Sequence, residues 1–373
     1  MAEDGAEHDG KAERVAALAR ALGAGGVLVA AHHNVAWLTG GRGNRVDASR
    51  EIGAARLLIT ADGRRFVLAN AIEMPRLLDE VLAGFGYEPI EYSWTDDQAD
   101  PARALSVARG LTHSDAIAAD WPLPGATPAE TALMRTRTHL TAAEAERYRA
   151  LGRDVARAVT RLCHNLTPGD DERDIARSAA EAVADVGARA IVTLVGSDER
   201  LRRYRHPVPT AARWRHIVMT ALCAERDGLV VSMSRIVASR AAAADIADRT
   251  RAAAGVFDRL LAASRDRGTA SALYQIAAAA YQEAGFPGEE QRHHQGGAIA
   301  YRAREWIAHP ASRETVHPTQ AFAWNPTITG TKIEDTALLI DGQVEIVTAT
   351  PEWPSLPLPS FDDLQAADVW RLA

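Results

Sequence analysis

The sequence predicts an α+β protein of two domains, and three observations predict it. Up to residue 138, short apolar runs alternate with helical spacing, as in a small α/β unit. Two long amphipathic helical patterns follow, over residues 140–187. From 292 to 349 the apolar runs are short and strand-like. Helices and strands segregated in this way point to an α+β layer arrangement. The 373 residues suit two domains, and an apolar fraction of 47% supplies their cores.

The first residues, MAEDGAEHDGKAE, are acidic and polar, and 1–12 reads as a disordered tail. They lack the basic start and apolar stretch of a secretory signal. ERVAALARALG (13–23) has helical spacing and ends in glycines, and VLVAA is a buried strand. RLLIT and FVLAN flank Asp62-Gly63 and predict a hairpin over 56–70. The intervening HHNVAWLTGGRGNRVD, which carries Arg42 and Arg45, reads as a loop. Together 13–138 forms the first domain and 139–350 the second, with a proline-rich extension over 351–373 lying extended on the surface.

Composition excludes several classes. A net charge of −7 argues against nucleic acid or an anionic membrane as partner. No apolar run approaches the roughly 20 residues of a membrane helix. The two cysteines, Cys163 and Cys223, have no metal-like spacing and read as free thiols in a reducing cytoplasm. Motifs for nucleotide binding, zinc peptidases and serine hydrolases are absent.

Chemistry-bearing side chains cluster in the second half. RHPVPT carries His206, GLVVSMSR carries Ser232 and Arg235, and RHHQGGAIAYRARE carries His293, His294, Tyr301, Arg304 and Glu305. AFAWNP carries Asn325, and KIEDTALLIDG carries Lys332, Glu334 and Asp335. The glycines after His294 permit close backbone approach to a ligand. Trp324 precedes Asn325, so it faces the other side of its strand and belongs to the core.

In this order these segments resemble the second domain of the creatinase/prolidase/methionine aminopeptidase family, the pita-bread fold. Gly228 to Arg235 is similar to the family's "GYxSDxTR" strand, HHQGG to "HGxGH", FAWNP to "xTxEP", and KIEDTALLIDG to "RxEDTVLVTEDG". NVAWLTG resembles "NxxYLTG" in its creatinase-type first domain. The resemblance implies a pita-bread domain over 139–350, a smaller α/β domain before it, and a homodimer.

The peptidases of that family hold two metal ions with two Asp, one His and two Glu. By resemblance those positions are Ala221, Ser232, His294, Asn325 and Glu334. Ala offers no ligand atom, and Ser and Asn offer only neutral ones, whereas two divalent ions need anionic oxygens. No metal and no cofactor is expected. Creatinase works without metal through a His whose segment is similar to HPVPT, which makes His206 its match.

The expectation is a metal-independent, creatinase-like hydrolase or lyase acting on a C–N or amide-type bond of a small molecule. His206 or His294 transfers the proton and Glu334 orients it, itself paired with His294, Arg304 or Lys332. His293, Ser232, Asn325, Arg304, Glu305 and Tyr301 contact substrate. Two rivals stand beside this reading: a non-catalytic pita-bread binding protein, and a one-metal Xaa-Pro-type aminopeptidase using His294 and Glu334.

Overall fold

The computed structural model describes residues 2–372. Two compact units divide the chain, the first ending at Arg137 and the second beginning at Thr138. No helix among the described residues is long and apolar enough to cross a membrane.

The first unit is built on a sheet of β1 (Gly26–Ala31), β2 (Ile52–Thr60), β3 (Arg65–Asn70), β4 (Glu88–Tyr92), β5 (Ala118–Ala119) and β6 (Thr127–Pro128), in the order β4-β3-β2-β1-β5-β6. The β2–β3 pair is the expected hairpin, and Gly63 takes φ +90° in its turn. Every residue of β1 is buried, as befits a central strand. One face packs Leu28, Leu58, Phe66 and Leu68 against Leu105 and Ala108 of the helix Arg103–Thr112.

Two expectations fail in this unit. Most of the supposed tail 1–12 is helical, within the helix Ala2–Ala21; Met1 lies outside the described residues. His8, Lys11, Ala12, Val15, Ala16 and Ala19 form its buried stripe, at the i, i+3, i+4 spacing of one helix face. Two polar residues in the apolar stripe hid the pattern. They are tolerated because both find partners: His8 Nδ1 bonds Leu38 O at 2.8 Å, and Lys11 Nζ donates to Trp37 O at 2.8 Å. The His8 ring also stacks on Phe85 at 4.2 Å.

The segment HHNVAWL is not a loop but the helix His32–Leu38. Its polar side chains are spent inside the unit. Asn34 donates to Asp120 at 2.9 Å and to Glu130 at 2.7 Å, and it accepts from Arg137 at 2.6 Å. Arg42 lies 4.7 Å over the Phe85 ring.

The second unit opens with the helices Ala142–His164 and Glu172–Ala184. Thr141 and Glu144 cap the first in a reciprocal capping box. The strands are β7 (Arg189–Ser197), β8 (Ile217–Arg226), β9 (Leu229–Ala238), β10 (Gly296–Ile299), β11 (Thr319–Trp324), β12 (Thr327–Ile328), β13 (Thr331–Lys332), β14 (Asp335–Ile340), β15 (Gln343–Ile346), β16 (Ser355–Pro357), β17 (Gln365–Ala367) and β18 (Trp370–Arg371). They form the sheets β18-β9-β8-β7 and β10-β11-β14-β15 with two small hairpins. The helices Arg240–Arg265 and Ala270–Glu283 join them.

The two larger sheets meet along β9 and β14. Ser234 N donates to Glu334 O at 3.0 Å, and Thr336 Oγ1 accepts from Ser232 N at 2.8 Å. Behind this seam Arg235 pairs with Asp335 at 2.9 Å, both fully buried. The proline-rich extension is not a surface strand lying loose. It folds as the β16–β17 hairpin, and β18 adds to β9 in parallel register. Trp353, Leu358, Ala366 and Val369 bury their side chains, so apolar burial rather than proline content decides the path of this segment.

Candidate functional site

Strands β8 and β9 set the floor of the site. Ala221 pairs with Ser234 and Cys223 with Ser232 across the hairpin, so these four side chains share one face. Ser232 Oγ donates to Cys223 Sγ at 3.1 Å. Arg235 pairs with Thr220 and points to the opposite face.

Loops bring the remaining groups over this floor. His206 follows the helix Asp198–Arg203 and precedes Pro207. A Cβ on Gly196 of β7 would stand 2.4 Å from Pro207 Cγ, so the glycine lets the loop lie flat on the strand. Arg205 ties the same loop to Glu289 and Thr329. His293 and His294 enter just before β10. Gln295, fully buried, accepts from Tyr281 OH at 2.7 Å through its side chain and from Asn325 N at 3.0 Å through its backbone. Gly296 takes φ +94°, and a Cβ there would meet Ala323 O at 2.0 Å. A Cβ on Gly297 would meet Trp306 O at 2.1 Å, so the two glycines serve close packing against β11 and the Trp306 backbone, not approach of a ligand as the sequence suggests.

Between floor and loops lies a cavity of about 300 Å³. Val192, Leu194, Ala221 and Leu222 give it apolar walls, and His206, Cys223, His294, Arg304, Asn325, Lys332 and Glu334 give it polar ones. A second cavity of about 390 Å³ lies beside Arg235, Asp335 and Trp353. Its main charges are spent on each other, so the chemistry favours the first.

Glu334 is the electrostatic centre of that first cavity. Its Oε2 accepts from Lys332 Nζ at 2.7 Å and Ser234 Oγ at 2.6 Å. Its Oε1 accepts from Arg304 Nη2 at 3.0 Å and, weakly, from Asn325 Nδ2 at 3.4 Å. Burial alone would raise this carboxyl's pKa; the two cations and their hydrogen bonds outweigh it and hold the group well below the usual carboxylate range. Arg304 also donates to Ser232 Oγ at 3.2 Å. Glu334 thus pairs with both Arg304 and Lys332, as the sequence allows, but the third option fails: among the described residues no imidazole bonds Glu334.

The three histidines form their own cluster. His293 Nε2 and His206 Nε2 share a hydrogen bond of 2.9 Å, and the rings of His293 and His294 stack at 4.4 Å. Gly296 N donates to His294 Nδ1 at 3.3 Å. That contact makes Nδ1 an acceptor, so neutral His294 carries its proton on Nε2. Burial first, then neighbouring cations, lowers all three pKa values: His293 to about 2, His294 to about 4, and His206 in the same direction.

This has a measurable consequence. Between pH 6.5 and about 4 the unfolded chain binds a proton at position 294 that the folded chain does not. Stability is therefore full above pH 6.5 and falls as the pH drops toward 4, by up to about 1.4 kcal/mol per pH unit for each such imidazole. In urea melts, His294→Gln is expected to flatten that slope.

The candidate residues divide accordingly. His206, His294, Asn325, Arg304 and Glu334 line the cavity, and His293 touches His206 from a buried position behind it. Ser232 is fully buried beneath Arg304, so it positions that guanidinium and cannot reach a substrate. Tyr301 and Glu305 are outside the lining. Tyr301 OH donates to Glu144 Oε1 at 2.7 Å, and Glu305 accepts from Tyr301 N at 3.0 Å, so both serve the packing of helix Ala142–His164. Lys332, expected only as a partner of Glu334, itself lines the cavity, and so does Cys223, which the sequence reading takes as a plain free thiol.

A dinuclear metal centre does not fit these residues. Ala221, Ser232 and Asn325 stand where carboxylates are needed, and both oxygens of Glu334 are taken by side-chain donors. The pair His294 and Glu334 is likewise no metal site, because Glu334 is committed to two cations. The ring nitrogens of His206, His293 and His294 lie within 4.8 Å of one another. Zinc–nitrogen bonds of about 2.0–2.1 Å in a tetrahedron would set them about 3.4 Å apart. The cluster would have to contract beside two cations and break both hydrogen bonds just described.

Residues 146–341 match the model of metallopeptidase family M24. Among solved structures, the dipeptidase PepE from Mycobacterium ulcerans is 19% identical, with a TM-score of 0.78, over 93% of this chain and 97% of that one. Prolidase from Pyrococcus furiosus is 17% identical with a TM-score of 0.71, over 91% and 99%. The Xaa-Pro dipeptidase from Bacillus anthracis is 15% identical with a TM-score of 0.73, over 92% and 98%. At these identities the likeness concerns the fold. No curated protein matches the sequence. The family match spans more than half of the chain, and its pita-bread architecture agrees with these structures: the protein is a member of metallopeptidase family M24.

Proposed function

We propose that this M24 member is a hydrolase that cleaves an amide-type C–N bond of a small molecule without the family's dinuclear metal centre. One observation carries the reading. Where anionic metal ligands are missing, Arg304 and Lys332 occupy the cavity wall with Glu334 as their shared counter-charge, beside three neutral imidazoles.

His206 is the proton-transfer group in this reading. It is exposed at the cavity wall, it is neutral near pH 7, and His293 fixes its ring. As a base it takes a proton from water as the oxygen adds to the carbonyl carbon. It then returns the proton to the leaving nitrogen as the C–N bond breaks. His294 Nε2–H is the donor for the developing oxyanion. Glu334 has the role of holding two cations, not of orienting histidine. A homodimer, as the resemblance implies, is compatible with this reading.

The test is turnover. Purified protein is incubated with dipeptides and with N-acyl and N-carbamoyl amino acids, and released amine is followed by mass spectrometry. Activity that survives exhaustive chelation supports the reading. Activity that appears only with added divalent metal contradicts it. Binding without turnover of any member assigns the chain to the non-catalytic alternative.

A further inference from the structure

The second cavity, of about 390 Å³, lies on the face of β9 that carries Arg235 rather than Ser232 and Ser234. The β16–β17 hairpin forms one of its walls. Ile346, Trp353, Pro354, Leu364 and Ala366 give it an apolar lining, and Arg235 and Asp335 bring two buried polar groups to it. Apolar walls with a few convergent polar groups, around ~300 to 1,000 Å³, are the usual form of a small-molecule site.

The buried ion pair is joined through one oxygen only. Arg235 Nη2 donates to Asp335 Oδ1 at 2.9 Å, and Thr348 Oγ1 donates to the same oxygen at 2.7 Å. Oδ2 keeps its acceptor capacity. Arg235 also donates to Ser234 O and Thr348 O through its two terminal nitrogens, but its Nε is buried with no partner. A buried donor without an acceptor is costly. One free donor and one free acceptor thus belong to a single ion pair.

The charges fix the sign of the ligand. Arg235 and Asp335 neutralise each other, and Glu345 of the lining is paired with Arg149 at 2.7 Å. An anion would meet Asp335 and Asp363. A cation would bring like charge to Arg235 and leave the Nε–H nothing to bond. A neutral group with an N–H beside a carbonyl oxygen satisfies both partners. Trp353 supplies a flat wall: it is 4% exposed, and its indole N–H is fixed on Asp368 O at 2.8 Å.

We infer that this second cavity binds a flat neutral molecule, a carboxamide on a ring or a ring lactam. Its oxygen accepts from Arg235 Nε, its N–H donates to Asp335 Oδ2, and its ring lies against Trp353. The site is separate from the first cavity, and it stands whether or not the first cavity hydrolyses anything.

Benzamide, benzoate and benzamidine are nearly equal in shape and are neutral, anionic and cationic at pH 7. Ligand-detected NMR titration is expected to show benzamide binding at least about tenfold tighter than either ion. 2-Pyridone carries the same edge inside its ring, and its affinity relative to benzamide separates a lactam from a carboxamide; tighter binding of either than of the two ions supports the proposal. Asp335→Asn keeps an oxygen for Arg235 but sets an NH2 where Oδ2 stood, and it is expected to weaken benzamide at least about tenfold. That variant also weakens the tie to Arg235, so a second one leaves the ion pair untouched. Ala367→Leu fills the cavity from the half-buried hairpin wall and is expected to abolish benzamide binding. Benzoate or benzamidine binding as tightly as benzamide, benzamide binding unchanged in Ala367→Leu, or no binding of any of these compounds overturns the proposal.

Discussion

Glu334→Ala is expected to lower the stability of the folded chain by about 3–5 kcal/mol, measured by urea denaturation at pH 7. The carboxylate is 4% exposed and accepts from Lys332, Arg304 and Ser234 at once. Its removal leaves two cations close together with no counter-charge. It also strips a partner from Asn325, whose other polar atom is already unpaired. A double variant, Glu334→Ala with Lys332→Met, is expected to recover part of the loss, because only Arg304 then remains uncompensated. The sign is what matters here. A buried Glu334 placed only to bind metal would lack a counter-charge in the metal-free chain, and its removal would relieve that cost. Stabilisation on replacement would therefore contradict the electrostatic account.

His206→Ala is expected to reduce kcat by about 10²–10⁴-fold on whatever amide the chain hydrolyses, with a smaller change in KM. His206 touches the cavity and shares its proton with His293 at 2.9 Å. It is also the most exposed of the three imidazoles, so solvent can exchange its proton between turnovers. His293→Asn is expected to act through His206, shifting the acid limb of the pH–rate profile more than the plateau. An unchanged kcat in His206→Ala, with the variant folded, removes it from the mechanism.

Much of this site is legible in the sequence because its segments resemble the family's motifs. Ala221, Ser232, Asn325 and Glu334 are located by that resemblance, and β8, β9 and the ends of β11 and β14 bring their segments together. What was not legible is which neighbour turns inward. Tyr301 and Glu305 follow the HHQGG segment but belong to the helix packing, since the loop between them reverses at Arg302 to Arg304. Lys332 carries a usable signal: it lies two residues before Glu334, the spacing that returns an extended chain to the same face. Cys223 stands two residues after Ala221 on β8 for the same reason.

In the first unit the difficulty was of another kind. A helix that buries a histidine and a lysine does not look amphipathic, and partners distant in sequence, the carbonyls of Trp37 and Leu38, join Glu7 beside Lys11 in offsetting those burials. The same holds at the other end, where Trp353 donates to Asp368 O at 2.8 Å and draws a proline-rich stretch into the fold.

The central claim is that side-chain cations stand in the cavity in place of a dinuclear metal centre. Elemental analysis tests it most directly, on protein purified in the presence of manganese, cobalt or zinc and then freed of unbound metal by gel filtration. The account predicts no stoichiometric metal in the unchanged chain. Two equivalents of metal per chain, lost in Glu334→Gln, would contradict it.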